Sequence, residues 1–440
     1  MIRKFLLLFC MLASATLLQA RNQWPDGSAI DKWFNDTTWR NLDQLPQYVV
    51  TSYGVKTDST LMQTTALQHV IDLAARQGGG VVVIPRGTFL SGSLFFRQGT
   101  HLLLQQGAKL KGSDRIGDYP IVTTRIEGQT CKYFAALINA DHLDGFTISG
   151  PGAIDGNGYY YWQEFWLRRK WNPQCTNKEA QRPRLVFMSH CTNVTLQGVK
   201  LQNSAFWTSH FYRTSHLRCL DCRFTAPTTG DVKAPSSDAI DLDVCHDVLI
   251  NNCFMSVNDD AVVMKGGKGT WADRDTCNGA NYNVLVSGCT YLRTAAFLTC
   301  GSESIGNRNI IVTNCRGEAH RLLWLKMRPD TPQQYSYITV VNCQAKAGSM
   351  LQMTPWTQFY QKDDRPDMPR SRCSHITLTG ITGTFDKVLN VKNNLPDFFD
   401  RDNFTLKDIR ATSPQTAPEW QALGTGCTLK NIYINNQKVK

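Results

Sequence analysis

After its first twenty residues the chain has no apolar stretch approaching the roughly 18 residues needed to cross a membrane as a helix. It has no block of basic residues either, although its formal net charge is +11. Between residues 199 and 432 the three- and four-residue spacing of apolar side chains that marks amphipathic helices is also missing. The first absence argues against a helical membrane anchor in the body of the chain. The second makes nucleic acid a poor partner, and the third excludes a helical repeat.

What is there begins with a leader. Arg3 and Lys4 form a positive start, Phe5 to Leu18 an apolar core, and Ala20 a small residue for cleavage. Residues 1–20 therefore read as a signal peptide, and the protein as periplasmic or secreted. Cys10 follows Phe9 rather than a small residue, which argues against a lipoprotein cysteine. Losing Arg3 and Lys4 leaves +9, a Lys and Arg excess spread along the chain. For an exported protein such charge favours an acidic polysaccharide as the attracted polyanion.

At 440 residues the chain exceeds one ordinary core, which leaves two domains or one extended repeat. The cysteines decide. Cys222, Cys253, Cys289, Cys315 and Cys343 each follow a short aliphatic-rich strand, and Val199, Ile381, Ile409 and Ile432 fill the same slot in flanking copies. Successive slots lie 23, 31, 36, 26, 28, 38, 28 and 23 residues apart. A slot shared by Cys, Val and Ile is a small buried apolar position. The fourteen cysteines beyond Cys10 are thus expected to be mostly unpaired, even in an exported protein. Self-similar units of this length, with short strands and variable insertions, predict a solenoid. Each coil repeats the last, so its sheets must be parallel. The predicted fold is all-β: a single-stranded right-handed parallel β-helix lined by aliphatic ladders.

The domain reading follows from this. Residues 21–48, rich in Trp and Asp, form an N-terminal arm, and residues 49–440 the β-helix. Val50 to Lys56 reads as a strand. Leu61 to Arg76 reads as a helix, with Leu67, Val70, Ile71 and Ala74 on one face and Gly78, Gly79 and Gly80 as its stop. That helix caps the first coil, covering a strand edge that an open solenoid would expose. Residues 159–183 are expected to form a long loop, with further excursions at 266–282 and 354–373.

The chemistry concentrates between residues 236 and 265. Ser237-Asp238-Ala239-Ile240 and Asp259-Asp260-Ala261-Val262 carry one pattern. On successive rungs of a stacked sheet, Asp238 sits beside Asp260, with Asp259 one residue along. Three carboxylates so close raise one another's pKa, which is costly unless a function or a positive charge answers them. Glycoside hydrolysis uses that pattern, since one carboxyl must give a proton while another stays ionised. A cation site and solvated turn residues are the alternatives. Asp241 and Asp243 read as supporting residues.

Several stretches resemble the polygalacturonase-type glycoside hydrolases of family 28, right-handed parallel β-helices acting on pectin. They are Tyr53-Gly54-Val55, Thr65 to Gln68, Gly79 to Phe89, Ile154 to Gly158, and Asn203 to Trp207 with His210. The family's Asn-Thr-Asp motif falls on Ser236-Ser237-Asp238, and its Asp-Asp motif on Asp259-Asp260, followed by Lys265. Two motifs depart. Gly-His-Gly aligns with Ala295-Ala296-Phe297, and Arg-Ile-Lys with Trp324-Leu325-Lys326, so a His and an Arg are missing. Arg321 and Arg328 stand near enough in sequence to substitute.

The resemblance implies inversion, with Asp259 as acid and Asp238 and Asp260 activating water. The sugar-binding candidates are His210, Lys265 and Lys326 on the matched motifs, Arg328 by its proximity to the missing Arg, and Trp207 and Trp324, with Trp271 and Trp356, as tryptophans clustered on the expected cleft side. No metal or cofactor is expected. The expected partner is an acidic plant cell-wall polysaccharide or oligosaccharide, met by a monomer, with no membrane or nucleic acid involved. The long insertions favour cutting at chain ends. Rhamnogalacturonan hydrolysis, a Ca²⁺-dependent lyase and a non-catalytic polysaccharide-binding β-helix stand as alternatives.

Overall fold

The computed structural model describes residues 22–360, 363–391 and 399–440. The expected leader lies outside them. From Gly80 the chain winds through three parallel sheets, and each coil adds one strand to each. The first sheet runs from Gln47–Val49 and Gly80–Ile84 to Thr405–Thr412 and Thr428–Ile434. The second starts at Gly87–Ser91 and the third at Leu94–Phe95. This is the expected parallel β-helix, with the crossover hand that parallel strands favour.

Register explains why the coils stack. In the first sheet Leu102, Ile148, Leu196, Cys219, Ile250, Val286, Val312, Val340 and Leu378 pair in succession. All are almost fully buried. The shared Cys, Val and Ile slot lies at the corner between the first and second sheets. Its nine residues are buried, and the five cysteines among them are free thiols. A second signal accompanies it. The residue before each slot is Gly198, Asp221, Asn252, Gly288, Asn314, Asn342, Gly380, Asp408 or Asn431, all left-handed with φ between 52° and 67°. Gly, Asn and Asp tolerate that conformation best, so the corner repeats with the chemistry it needs.

Helix α1, Thr64–Arg76, lies over the first coil and buries Leu67, Val70, Ile71 and Ala74. Gly78 and Gly79, with φ of 94° and 102°, turn the chain back into the sheet. Two expectations need correcting. The strand predicted at Val50 to Lys56 is a 3₁₀ turn over Val50–Tyr53 closed by left-handed Gly54. The strand falls earlier, at Gln47–Val49, pairing with Val81 to Val83. The loop predicted at 159–183 contains helix α2, Tyr159–Trp171. It buries Tyr161, Trp162 and Phe165, and its other aromatic residues face outward, so it carries no clean apolar stripe to read.

Two insertions shape the outer face of the third sheet. An antiparallel hairpin, Ile121–Ile126 with Gln129–Phe134, stands over it. Its tip meets the 266–278 loop, where Lys268 pairs with Glu127 and Arg125 donates to Asn278 Oδ1 at 2.5 Å. Residues 22–46 run along the first sheet instead. There Trp24 and Phe34 cover Leu220, Leu249 and Ile311.

Candidate active site

The third sheet sets Ile240–Asp243 beside Val262–Lys265, pairing Ile240 with Val262. Two residues upstream, Asp238 therefore stands beside Asp260, as the repeated pattern predicts. Carboxylate oxygens of Asp238, Asp259 and Asp260 lie within 4.8 Å of one another. They line a pocket of about 150 Å³ together with Lys265, Lys326, Trp207, Trp324, Trp356 and Glu303.

Asp260 is held on both oxygens. Lys326 Nζ donates to Oδ2 at 2.9 Å and Thr299 Oγ1 to Oδ1 at 2.6 Å. Asp259 is the least buried of the three, and its Oδ1 accepts from the Asp260 backbone at 3.0 Å. Burial pushes the Asp259 carboxyl well above its ordinary range, helped by the charges of Asp238 and Asp260. Burial likewise raises Asp238, with Asp241 adding to it. Such neighbours titrate as a set. Both shifts favour the protonated carboxyl that an acid catalyst requires.

Lys265 gathers the acids beneath the site. Its Nζ lies 3.3 Å from Glu303 and 3.7 Å from both Asp238 and Asp241, and 4.7 Å from the Trp207 ring centre. Burial works against its charge, but Glu303, Asp238 and Asp241 outweigh that and raise its pKa. Glu303 mirrors it: burial works against the carboxylate, yet Lys265, Lys268 and Arg328 hold its pKa well down. Asp241 is fully buried with neither oxygen hydrogen-bonded among the described residues. Burial pushes its pKa up to about 8.

Four of the six expected binding side chains line the pocket with the acids, and two do not. Lys265, Lys326, Trp207 and Trp324 line it. His210 does not: it is fully buried, with Nδ1 against Arg184 at 2.7 Å and Nε2 toward Asp243 at 3.4 Å. Burial and the Arg184 charge push its pKa down to about 4, so it supports Trp207 from behind, ring centres 4.9 Å apart. Arg328 also stays inside. It grips both Asp330 oxygens at 2.7 and 2.6 Å and donates to the carbonyls of Gln358 and Phe359, fixing one pocket wall. Both residues looked like sugar ligands because sequence shows neighbourhood but not facing. Trp271 lies apart, with Arg274 and Arg365 against its ring.

Sequence reasoning missed Glu303 and Thr299 and the wall residues Glu127 and Asn177. Thr299 lies just past Ala295-Ala296-Phe297, the stretch that replaces the family's Gly-His-Gly. Glu303 carried no local signal. The trio could also gather a cation, but Lys326 and Lys265 already bring positive charge to Asp260 and Asp238 and would repel one.

Comparison with known proteins agrees with this geometry. A probable polygalacturonase of Vitis vinifera is 25% identical over 243 residues, 53% of this chain and 46% of its own length. An exo-poly-alpha-D-galacturonosidase of Dickeya chrysanthemi is 32% identical over 148 residues, 32% of this chain and 24% of its own. The chain thus spans about half or less of the length of these curated relatives. The crystal structure of an exopolygalacturonase from Thermotoga maritima superposes with a TM-score of 0.76 at 19% identity, covering 92% of this chain and 95% of that one. Residues 82–312, which hold all three acids, match the model of the glycosyl hydrolases family 28. The motifs, the stacked coils and this match together place the chain in glycoside hydrolase family 28.

Proposed function

We propose that the protein is an exported pectin hydrolase that releases α-linked galacturonic acid from chain ends. The observation that carries this is the trio Asp238, Asp259 and Asp260 in a pocket walled by Trp207, Trp324 and Trp356 and supplied with Lys265 and Lys326. Asp259, proton-bearing and most accessible, gives its proton to the leaving glycosidic oxygen. Asp238 and Asp260 hold the attacking water, and Lys326 keeps Asp260 aimed. The tryptophans offer faces to the sugar ring, and the lysines answer its carboxylate.

Action at chain ends is supported by the wall that the Glu127 hairpin tip and the 266–278 loop raise across the third sheet. It is also what the names of the Dickeya and Thermotoga proteins suggest. Inversion comes from the family resemblance. One oxygen from each carboxylate lies within 4.8 Å of the others, a compact cluster beside the ~6.5–9.5 Å between the carboxyl groups of a usual inverting pair. Three acids sharing one water allow a tighter cluster, and the anomer of the first product decides.

The test is product analysis on polygalacturonan, oligogalacturonides and rhamnogalacturonan fragments, with chelator present and Asp259→Asn alongside. Free galacturonate from the wild type alone, without unsaturated product, supports the reading. Absorbance near 235 nm that chelator abolishes would favour a lyase. Retained binding with no release from any substrate would leave a polysaccharide-binding β-helix.

A further inference from the structure

A cavity larger than the catalytic pocket lies elsewhere on the described residues. About 650 Å³ in volume, it lies on the third sheet's outer face, on the rungs before those of the acids. Its floor comes from the adjacent strands Ile138–Asp141, Val186–Ser189 and Ser209–Tyr212. Its cover is the inner side of the 121–134 hairpin. It shares no lining residue with the catalytic pocket. Between them stands Arg125, whose Nε donates to Asp243 Oδ2 at 3.1 Å while Asp243 also faces His210.

Its chemistry is selective. Phe187 and Tyr212 supply aromatic surface, and Arg125 and Arg213 bring positive charge. Arg125 Nη1 and Arg213 Nε are buried donors with no hydrogen-bond partner among the described residues. Unpaired buried donors cost free energy, and an anionic ligand would satisfy them. The volume falls within the ~300–1,000 Å³ of ligand pockets. A metal fits less well. Asp141, His142 and His190 gather at the rim, but the two imidazoles are stacked 4.6 Å apart and 3° from parallel. One ion cannot lie in both ring planes.

We propose that this cavity is a second binding site, separate from the catalytic pocket, for a short oligosaccharide carrying uronic-acid carboxylates. A carboxylate meets Arg125 and Arg213, and sugar faces meet Phe187 and Tyr212. The ligand class rests on the proposed pectin substrate. Lying outside the wall, the site holds a chain or product that the catalytic pocket does not.

The test is calorimetric titration of trigalacturonate into the full chain carrying Asp259→Asn, which blocks turnover. The neutral galactose trisaccharide serves as control. Two sites per chain are expected. Adding Arg213→Ala weakens one at least tenfold, and adding Thr130→Trp, which fills the cavity from its cover, removes the same one. The neutral sugar does not fill it. Circular dichroism verifies that each variant is folded. Binding that neither variant changes, with one site or two, overturns the proposal. A single site lost in both variants upholds it and instead overturns uronate binding in the catalytic pocket.

Discussion

Arg321 lies over the Trp324 ring, its guanidinium carbon 3.7 Å from the ring centre. The register pairs Arg321 with Ala296, where the family motif carries His, and its Nη1 faces the Ala295 carbonyl at 3.4 Å. Small residues at 295 and 296 leave space that Arg321 crosses, so a cation returns beside the acids by another route. Arg321→Ala should raise KM for trigalacturonate about tenfold, the worth of one charge-assisted hydrogen bond, and lower kcat only a few-fold. Steady-state kinetics read this, and an unchanged KM would remove Arg321 from substrate binding.

Asp259→Asn removes the proposed proton donor while keeping the shape of the side chain. General acid catalysis contributes roughly 10²–10⁴-fold, so kcat should fall by that range while the melting temperature holds or rises. A variant retaining most of its turnover would move the acid role to another carboxyl.

Lys265→Met should destabilise the fold by about 3–5 kcal/mol, as breaking a buried ion pair from one side does. It strands Glu303, Asp238 and Asp241 without their shared ammonium. Urea midpoints give the value, and a loss below about 1 kcal/mol would mean the cluster relaxes.

Asp241 gives a pH signature. Its folded pKa of about 8 lies above the ordinary 3.8, so the folded state binds the proton more tightly. Its contribution is present in full below pH 3.8 and is lost as pH rises through 8. Asp241→Asn should therefore melt a few degrees higher than the wild type at pH 8, with the gap narrowing by pH 5. Equal gaps at both pH values would contradict this.

The thiols offer a direct count. Cys131, Cys277 and Cys427 are partly exposed, and the other eleven of the fourteen are buried. A chromogenic thiol reagent should find about three groups in the native protein and all fourteen after denaturation without reductant. A denatured count well below fourteen would reveal disulfides.

The fold was legible because its signal repeats. One Cys, Val or Ile slot says little, but nine at coil-like spacing predict stacking, and the Gly, Asn or Asp before each was there to be read as well. The acids were legible through the same repetition, Asp238 pairing with Asp260 across one rung. Facing was not. His210 and Trp207 are three residues apart, yet one is sealed behind the other. Helix α2 escaped because four of its seven aromatic residues point outward, and the second cavity because its walls come from residues as distant as Phe95 and Cys277.

Under the proposed action at chain ends, the wall between hairpin and loop has a consequence for polymer solutions. An enzyme stopped at one end of its pocket works in proportion to the number of termini, not to the mass of polysaccharide. Reducing sugar would accumulate while viscosity barely falls, and a second enzyme that cuts internally would speed it by making new ends.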